Sequence, residues 1–195
     1  LFPGQGSQHQ GMLENFISEY ALVKNIFVQA SEVLDQDLLH IIALDPDLLN
    51  QTATTQPILL ASSYALWSLL QDRCDFKPQF VAGHSLGEYS ALVCAGALDF
   101  ADGLKLVQRR GQLMQAAVTE NPGAMAAVLG LSDQSVVELC QSIDYQISPA
   151  NFNCPGQVVI AGEEAGIDAA IAAAKDFGAK RIVKLPVSVP SHCAL

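Results

Sequence analysis

The stretch Phe80-Val81-Ala82-Gly83-His84-Ser85-Leu86-Gly87-Glu88-Tyr89 carries the clearest architectural signal in the chain. Its first three residues read as a short apolar strand, Gly83–Gly87 as a tight turn, and Glu88–Ala97 as a helix. Strand, glycine turn and helix in that order belong to an α/β sheet, with ligands at the strand ends. The turn contains G-x-S-x-G. It is sharp, so the residues flanking Ser85 must be small. The sharpness lifts the Ser85 hydroxyl into solvent and puts the Leu86 N–H at a helix start, where it can meet a developing oxyanion. A glycine-rich turn with an incidental serine satisfies the same five letters. The strand–turn–helix context is what favours a nucleophile.

Upstream, Phe2-Pro3-Gly4-Gln5-Gly6-Ser7-Gln8 reads as a loop after a truncated strand. No Gly-Lys-Ser/Thr follows, so it is not a P-loop, and His9 stands where a dinucleotide fingerprint needs its third glycine. Two glycines around Gln5 let backbone approach a ligand closely; a plain strand-to-helix turn is the simpler alternative. Met12–Leu34 reads as helical, Asp35–Thr54 as short helix and loop. Thr55 can cap a helix that has Pro57 in its first turn and runs to Gln71. A further helix runs from Phe100 to Val118 and carries Arg109-Arg110-Gly111. Either arginine can face solvent. One that faces inward needs a carboxylate, and a ligand carboxylate would be held in a bidentate, selective pair.

Asn121-Pro122-Gly123 breaks this rhythm. Ala124–Leu129 follows as a strand, then a helix capped by Ser132 and ending near Ile143. Gln146–Pro149 and Gln157–Ala161 read as strands separated by a loop at residues 151–156. A helix over Glu163–Phe177 is closed by Gly178, and Arg181–Leu185 is the last strand. The order β-α-β-β-α-β is that of a ferredoxin-like unit. The expected organisation is therefore a small inserted domain at 122–186 within a larger α/β domain made of 1–121 and 187–195.

A serine hydroxyl needs a base within hydrogen-bond reach. Among the four histidines, His84 should point away across the elbow, and His9 and His40 lie in or beside helices. His192, in Val189-Pro190-Ser191-His192, sits in a stiff loop rather than a core helix, which favours it as the base over a structural role. No acidic residue follows Ile182, so no Asp or Glu completes a triad from this part of the chain. A backbone carbonyl or side-chain amide would serve to hold the imidazole.

Composition narrows the classes. The chain has 195 residues, half of them apolar, enough for a buried core. A net charge of −10 opposes nonspecific nucleic-acid binding. Lys175, Lys180, Arg181 and Lys184 are nonetheless four of the ten basic residues, and such runs are usually solvated faces. The five cysteines are odd in number and lack CxxC, which suits a reducing, cytoplasmic setting rather than a disulfide framework. With no HExxH and no Cys/His cluster, no metal site is expected. No apolar run reaches the roughly 20 residues of a membrane span. Leu1-Phe2-Pro3, without an initiator Met, suggests a clipped start.

Taken together the motifs resemble the bacterial malonyl-CoA:acyl carrier protein transacylases, relatives of the acyltransferase domains of fatty-acid and polyketide synthases. The matching pieces are Phe2–Gln8, Thr55-Gln56-Pro57, Gly83–Tyr89, Arg110-Gly111 with Met114, Gly123-Ala124-Met125, Asn151-Phe152-Asn153 with Pro155-Gly156-Gln157, and Pro190-Ser191-His192. Each is modest alone; they fall in the family's order along the whole chain. The resemblance implies an α/β-hydrolase-like large domain with a ferredoxin-like insertion. It implies Ser85 as acylated nucleophile, His192 as base, Gln5 and the Leu86 backbone as oxyanion hole, and Arg110 as partner of the malonyl carboxylate. Gln56, Met114, Met125 and Asn153 would lie near the acyl pocket, and Lys180 and Arg181 would meet the acidic carrier protein. Malonyl-CoA and acyl carrier protein are the implied partners, and no cofactor is needed. The family continues beyond His192, whereas this chain stops at Leu195, so a C-terminally truncated piece is expected. A serine hydrolase or thioesterase with the same elbow is the chief rival. A non-catalytic carrier-binding module is the second.

Overall fold

The computed structural model describes residues 1–120, 123–185, 187 and 189–195. Internal contacts divide the chain into two units, Leu1–Gln112 and Leu113–Leu195. The expected boundary motif at Asn121-Pro122, and Pro186 at the second expected limit, lie outside the described residues. By contacts the division falls within a long helix, and the segment after residue 186 groups with the second unit.

The first unit is helical. α1 (Glu14–Glu19) and α2 (Ala21–Leu34) divide the single helix expected over Met12–Leu34. They part at Tyr20, whose backbone is extended and whose ring lies under the Arg73 guanidinium, 5.2 Å from the ring centre. α3 (Leu38–Leu44) is capped by the Asp37 carboxylate, and α4 (Pro46–Leu49) by Asp45. α5 (Thr52–Arg73) starts upstream of the expected Thr55 cap. Thr55 lies inside the helix instead, donating its hydroxyl to the carbonyls of Leu49 and Gln51, the back-bonding open to a Thr one turn in. α6 (Gly87–Cys94) and the first half of α7 (Phe100–Glu120) complete the unit.

α5 is the centre of this unit. Its first half is buried on nearly every side, as a helix surrounded by others must be. Ile58 and Leu60 pack with Phe27, Leu38, Leu49, Leu86 and Leu104, all fully buried. Each such side chain contributes about 1.5–3 kcal/mol relative to exposure. Tyr64 stacks on Phe100 with ring centres 4.4 Å apart.

The strand expected at Phe80-Val81-Ala82 is not a ladder. It is reduced to one parallel bridge, Phe2 with Gly83, and two hydrogen bonds, Phe2 N–H to Ala82 O and His84 N–H to Phe2 O. Phe80 is 89% exposed. Its apolar run has too little paired backbone to form a named strand.

The second unit carries the sheet. β1 (Gly123–Leu129), α8 (Asp133–Gln141), β2 (Ile147–Cys154), β3 (Gln157–Glu163), α9 (Glu164–Ala173) and β4 (Arg181–Lys184) follow in that order. The strands are all antiparallel and ordered β2-β3-β1-β4. Alternation sorts the two faces. Ala124, Ala126 and Val128 join Val158, Ile160, Leu139 and Ile167 beneath α8 and α9. Met125, Val159 and Ala161 point the other way, against Leu185, Val187 and Cys193. Ser132 caps α8 as expected, accepting from the Ser135 N–H. The loop expected at 151–156 is mostly strand. β2 runs through to Cys154 on the sheet edge and absorbs Pro149 with irregular register, as edge strands can. Among the described residues no helix is long and apolar enough to cross a membrane.

Candidate active site

The elbow is built by close approach of backbone to backbone. A Cβ on Gly83 would lie 1.9 Å from the Gly87 carbonyl, and one on Gly87 would lie 2.3 Å from the Phe2 carbonyl oxygen. No side chain fits at either position, which is why both flanking letters of the motif are glycine. Between them Ser85 takes φ +52°, a left-handed conformation that costs a non-glycine residue about 1–3 kcal/mol. The amides of Gly87, Glu88 and Tyr89 turn back onto the carbonyls of His84, Ser85 and Leu86. The Leu86 N–H precedes them at the mouth of α6, where a helix leaves its first amides without internal partners. The Leu86 side chain is buried and anchors the turn in the core. His84 is exposed, and its ring lies beside Gly4 of the N-terminal loop.

Arg110 faces this elbow. Its Nη2 donates to Ser85 Oγ at 3.3 Å and its Nη1 to Gln56 Oε1 at 2.7 Å. Its guanidinium lies over the Tyr89 ring, 5.7 Å from the centre. Arg109 is exposed and donates to Gln112 on its own helix. The inward turn of Arg110 depends on the next residue. A Cβ on Gly111 would lie 2.6 Å from Ala53 Cα and 2.7 Å from Thr52 O, so only glycine lets α7 approach α5 closely enough for Arg110 to reach Gln56. Gln56 itself is fully buried.

Gln5 is exposed and donates its Nε2 to the buried Thr52 Oγ1 at 3.1 Å. Thr52 and Gln56 are one turn apart on α5, so one helix face serves both Gln5 and Arg110. Thr52 is a site residue not expected from a helix capped at Thr55; it is the first residue of α5. Tyr89, part of the same motif as Ser85, is a functional candidate that the motif alone does not mark: its ring and the Ser85 hydroxyl meet at the Arg110 guanidinium.

The remaining expected residues belong to the second unit. His192 is exposed, with φ +60°. Among the described residues only Leu13, Asp35, Ser85 and His192 combine a side chain with positive φ. The first two flank helix ends; the other two are the expected nucleophile and base. Met125 is buried in the small apolar cluster with Val159 and Ala161. Asn153 is exposed on β2, and Met114 is half-buried on α7. Lys180 and Arg181 are exposed at the start of β4. Lys184 is different: Asp168 and Glu164 hold its ammonium at 2.8 and 2.9 Å and raise its pKa through those hydrogen bonds, Asp168 foremost.

Comparison with known proteins places the chain. Residues 1–194 match the family described as an acyl transferase domain. The chain belongs to that family. This acyl transferase chain is 51% identical over 199 residues to the malonyl CoA-acyl carrier protein transacylase of Haemophilus influenzae. It is 52% identical over 198 residues to the protein of the same name from Escherichia coli K12. Each alignment takes in 100% of this chain and 64% of the relative, so the chain spans a little under two thirds of those proteins' length. Among solved structures, an acyl carrier protein S-malonyltransferase from Vibrio cholerae matches at TM-score 0.92 and 52% identity, over 99% of this chain and 64% of the other. A malonyl-transacylase in complex with its type II PKS acyl-carrier protein matches at TM-score 0.96 and 49% identity, over 99% and 63%.

Proposed function

We propose that this chain is the greater part of a malonyl-CoA:acyl carrier protein transacylase, acting in the cytoplasm to supply malonyl units for fatty-acid elongation. The observation that carries the proposal is the pairing at the elbow: a strained serine with a guanidinium 3.3 Å from its hydroxyl. A serine alone suits any acyl transfer. A serine beside an arginine suits an acyl group with a free carboxylate. Family membership and the names of the relatives point the same way.

The proposed mechanism is ping-pong. Ser85 Oγ attacks the thioester carbonyl of malonyl-CoA and gives its proton to His192, which is assigned the base from the family pattern Pro190-Ser191-His192. Charge on the carbonyl oxygen is met by Gln5 and the Leu86 N–H; one such donor typically accounts for about 10²–10³ in rate. The C–S bond breaks, CoA leaves with the proton as a thiol, and a malonyl-serine ester remains. The phosphopantetheine thiol of acyl carrier protein then loses its proton to His192, attacks the ester and restores Ser85. Both thioesters are substrates, and no cofactor is required. Gln56, Met114, Met125 and Asn153 are assigned to the acyl pocket.

The domain reading belongs to the same proposal: an α/β-hydrolase-like large domain, 1–121 with 187–195, and a ferredoxin-like small domain at 122–186. The second unit's element order and the strand order β2-β3-β1-β4 support the latter.

The direct test is release of CoA from malonyl-CoA by the complete protein. Without carrier protein a single stoichiometric burst is expected; with it, sustained turnover. Sustained release to water alone would mean a hydrolase.

Lys180 and Arg181 are proposed to steer the acidic carrier, since Lys184 is already compensated by Asp168 and Glu164. The double substitution Lys180→Glu, Arg181→Glu should raise the apparent KM for carrier protein roughly tenfold at low ionic strength, and less at high salt. An unchanged KM at low salt removes the docking assignment.

A further inference from the structure

We propose that Gln56 and Tyr89 are positioning residues for Arg110, and that position 56 carries an amide because a carboxylate there would occupy the guanidinium in the substrate's stead. The inference rests on the reading of Arg110 as partner of the malonyl carboxylate.

Arginine has a long side chain whose fork recognises a carboxylate only when its plane is fixed. Three groups from two helices and the elbow fix it here. Gln56 Oε1, on α5 and fully buried, accepts from Nη1 at 2.7 Å, at the short end for an N–H···O bond. The Tyr89 ring, on α6, lies 5.7 Å from the guanidinium carbon, within the range of a cation–π contact. Ser85 Oγ receives Nη2 at 3.3 Å. An amide oxygen, a ring face and a hydroxyl all attract a cation without cancelling its charge. Among the described residues Arg110 forms no ion pair. A half-buried guanidinium held this way keeps its full charge for an incoming anion, whose binding relieves the cost of leaving it uncompensated.

Glutamate is nearly isosteric with glutamine. At position 56 it would accept from Nη1 in the same geometry, form an internal ion pair and repel a second carboxylate. Tyr89 constrains the tilt of the fork, and its ring meets the same guanidinium that donates to the Ser85 hydroxyl.

The experiment measures kcat and KM for malonyl-CoA and acetyl-CoA separately, in the complete protein, for the wild type and for Gln56→Glu, Tyr89→Leu, Tyr89→Phe and Arg110→Ala. Gln56→Glu should lower kcat/KM for malonyl-CoA about 30- to 100-fold, mainly through KM, with acetyl-CoA changed less than about threefold. Tyr89→Leu should lower the malonyl value about three- to tenfold, and Tyr89→Phe, which keeps the ring, should regain most of it. Equal losses for both donors, or an unchanged malonyl preference in Gln56→Glu, overturn the proposal. If Gln56→Glu fails to fold, judged by its melting curve, the Tyr89 pair decides: an unchanged malonyl-to-acetyl ratio in Tyr89→Leu overturns it. Arg110→Ala separates the two levels. If it loses malonyl preference while Gln56→Glu and Tyr89→Leu keep it, only the positioning roles fall. If the wild type shows no malonyl preference, the functional reading itself falls.

Discussion

Alanine in place of Ser85 should leave the complete protein with no covalent malonyl adduct by intact-mass spectrometry, under conditions where the wild type is labelled within one turnover. Loss of an acyl-transfer nucleophile typically lowers kcat by about 10⁶. Neither Cys94 nor Cys140 can substitute: burial pushes the half-buried Cys94 thiol up to about 12 and the buried Cys140 thiol up to about 11, so both stay protonated and unreactive at neutral pH. The fold should survive, because alanine meets the same backbone strain at φ +52° that serine does. Ser85→Gly sharpens the test. It should be equally inactive, yet melt no lower than Ser85→Ala, since glycine occupies the left-handed region without that strain. An adduct that persists in Ser85→Ala would remove Ser85 as nucleophile.

The elbow was legible in the sequence because its geometry admits so few residues. Gly83 and Gly87 are there because any Cβ would collide with backbone, and a constraint that hard leaves its mark in the letters. The second unit was legible for a different reason. Its central strands β1 and β3 alternate between two covered faces, and α8 carries the Ser132 cap, so local chemistry and tertiary arrangement agree there; α9 stops at Ala173, short of the Phe177 end that Gly178 suggests, and the chain reaches Gly178 in turns.

What the letters did not carry was set by distant partners. Phe80-Val81-Ala82 has strand composition, but a strand is made by its neighbours, and Phe2 supplies only one bridge. Asn151–Cys154 looks like a turn, yet β3 offers paired backbone as far as Gln157 and draws it into β2. The choice between Arg109 and Arg110 could not be made from periodicity alone. It is made by Gly111, which brings α7 against α5 at Ala53, a contact between residues far apart in the chain. Thr52 carries no local mark either: it lies upstream of the Thr55 cap that the letters suggest, and its partner Gln5 lies 47 positions away.

Arg110→Ala should cut kcat/KM for malonyl-CoA by about 10²–10³, the scale expected for removing the cationic partner of a partly buried carboxylate. Acetyl-CoA should react as well as before or somewhat better. Arg110 Nη2 now donates to Ser85 Oγ, and a donor on that oxygen draws electron density from the attacking lone pair. A malonyl carboxylate would draw the guanidinium toward itself, whereas an acetyl group offers nothing to do so. The same arginine can therefore favour the diacid twice, by attraction and by restraint of the nucleophile when the diacid is absent. Removing it also takes away the charged donor to the buried Gln56 Oε1, so the variant should lose about 1.5–3 kcal/mol of stability, the scale of one hydrogen bond to a charged group, read as a lower Tm. Arg110→Lys should fall between: the charge remains, but an ammonium cannot reach Gln56 and the substrate with one planar fork. Equal losses for malonyl and acetyl donors would end the carboxylate assignment and leave Arg110 a structural tie between α5 and α7.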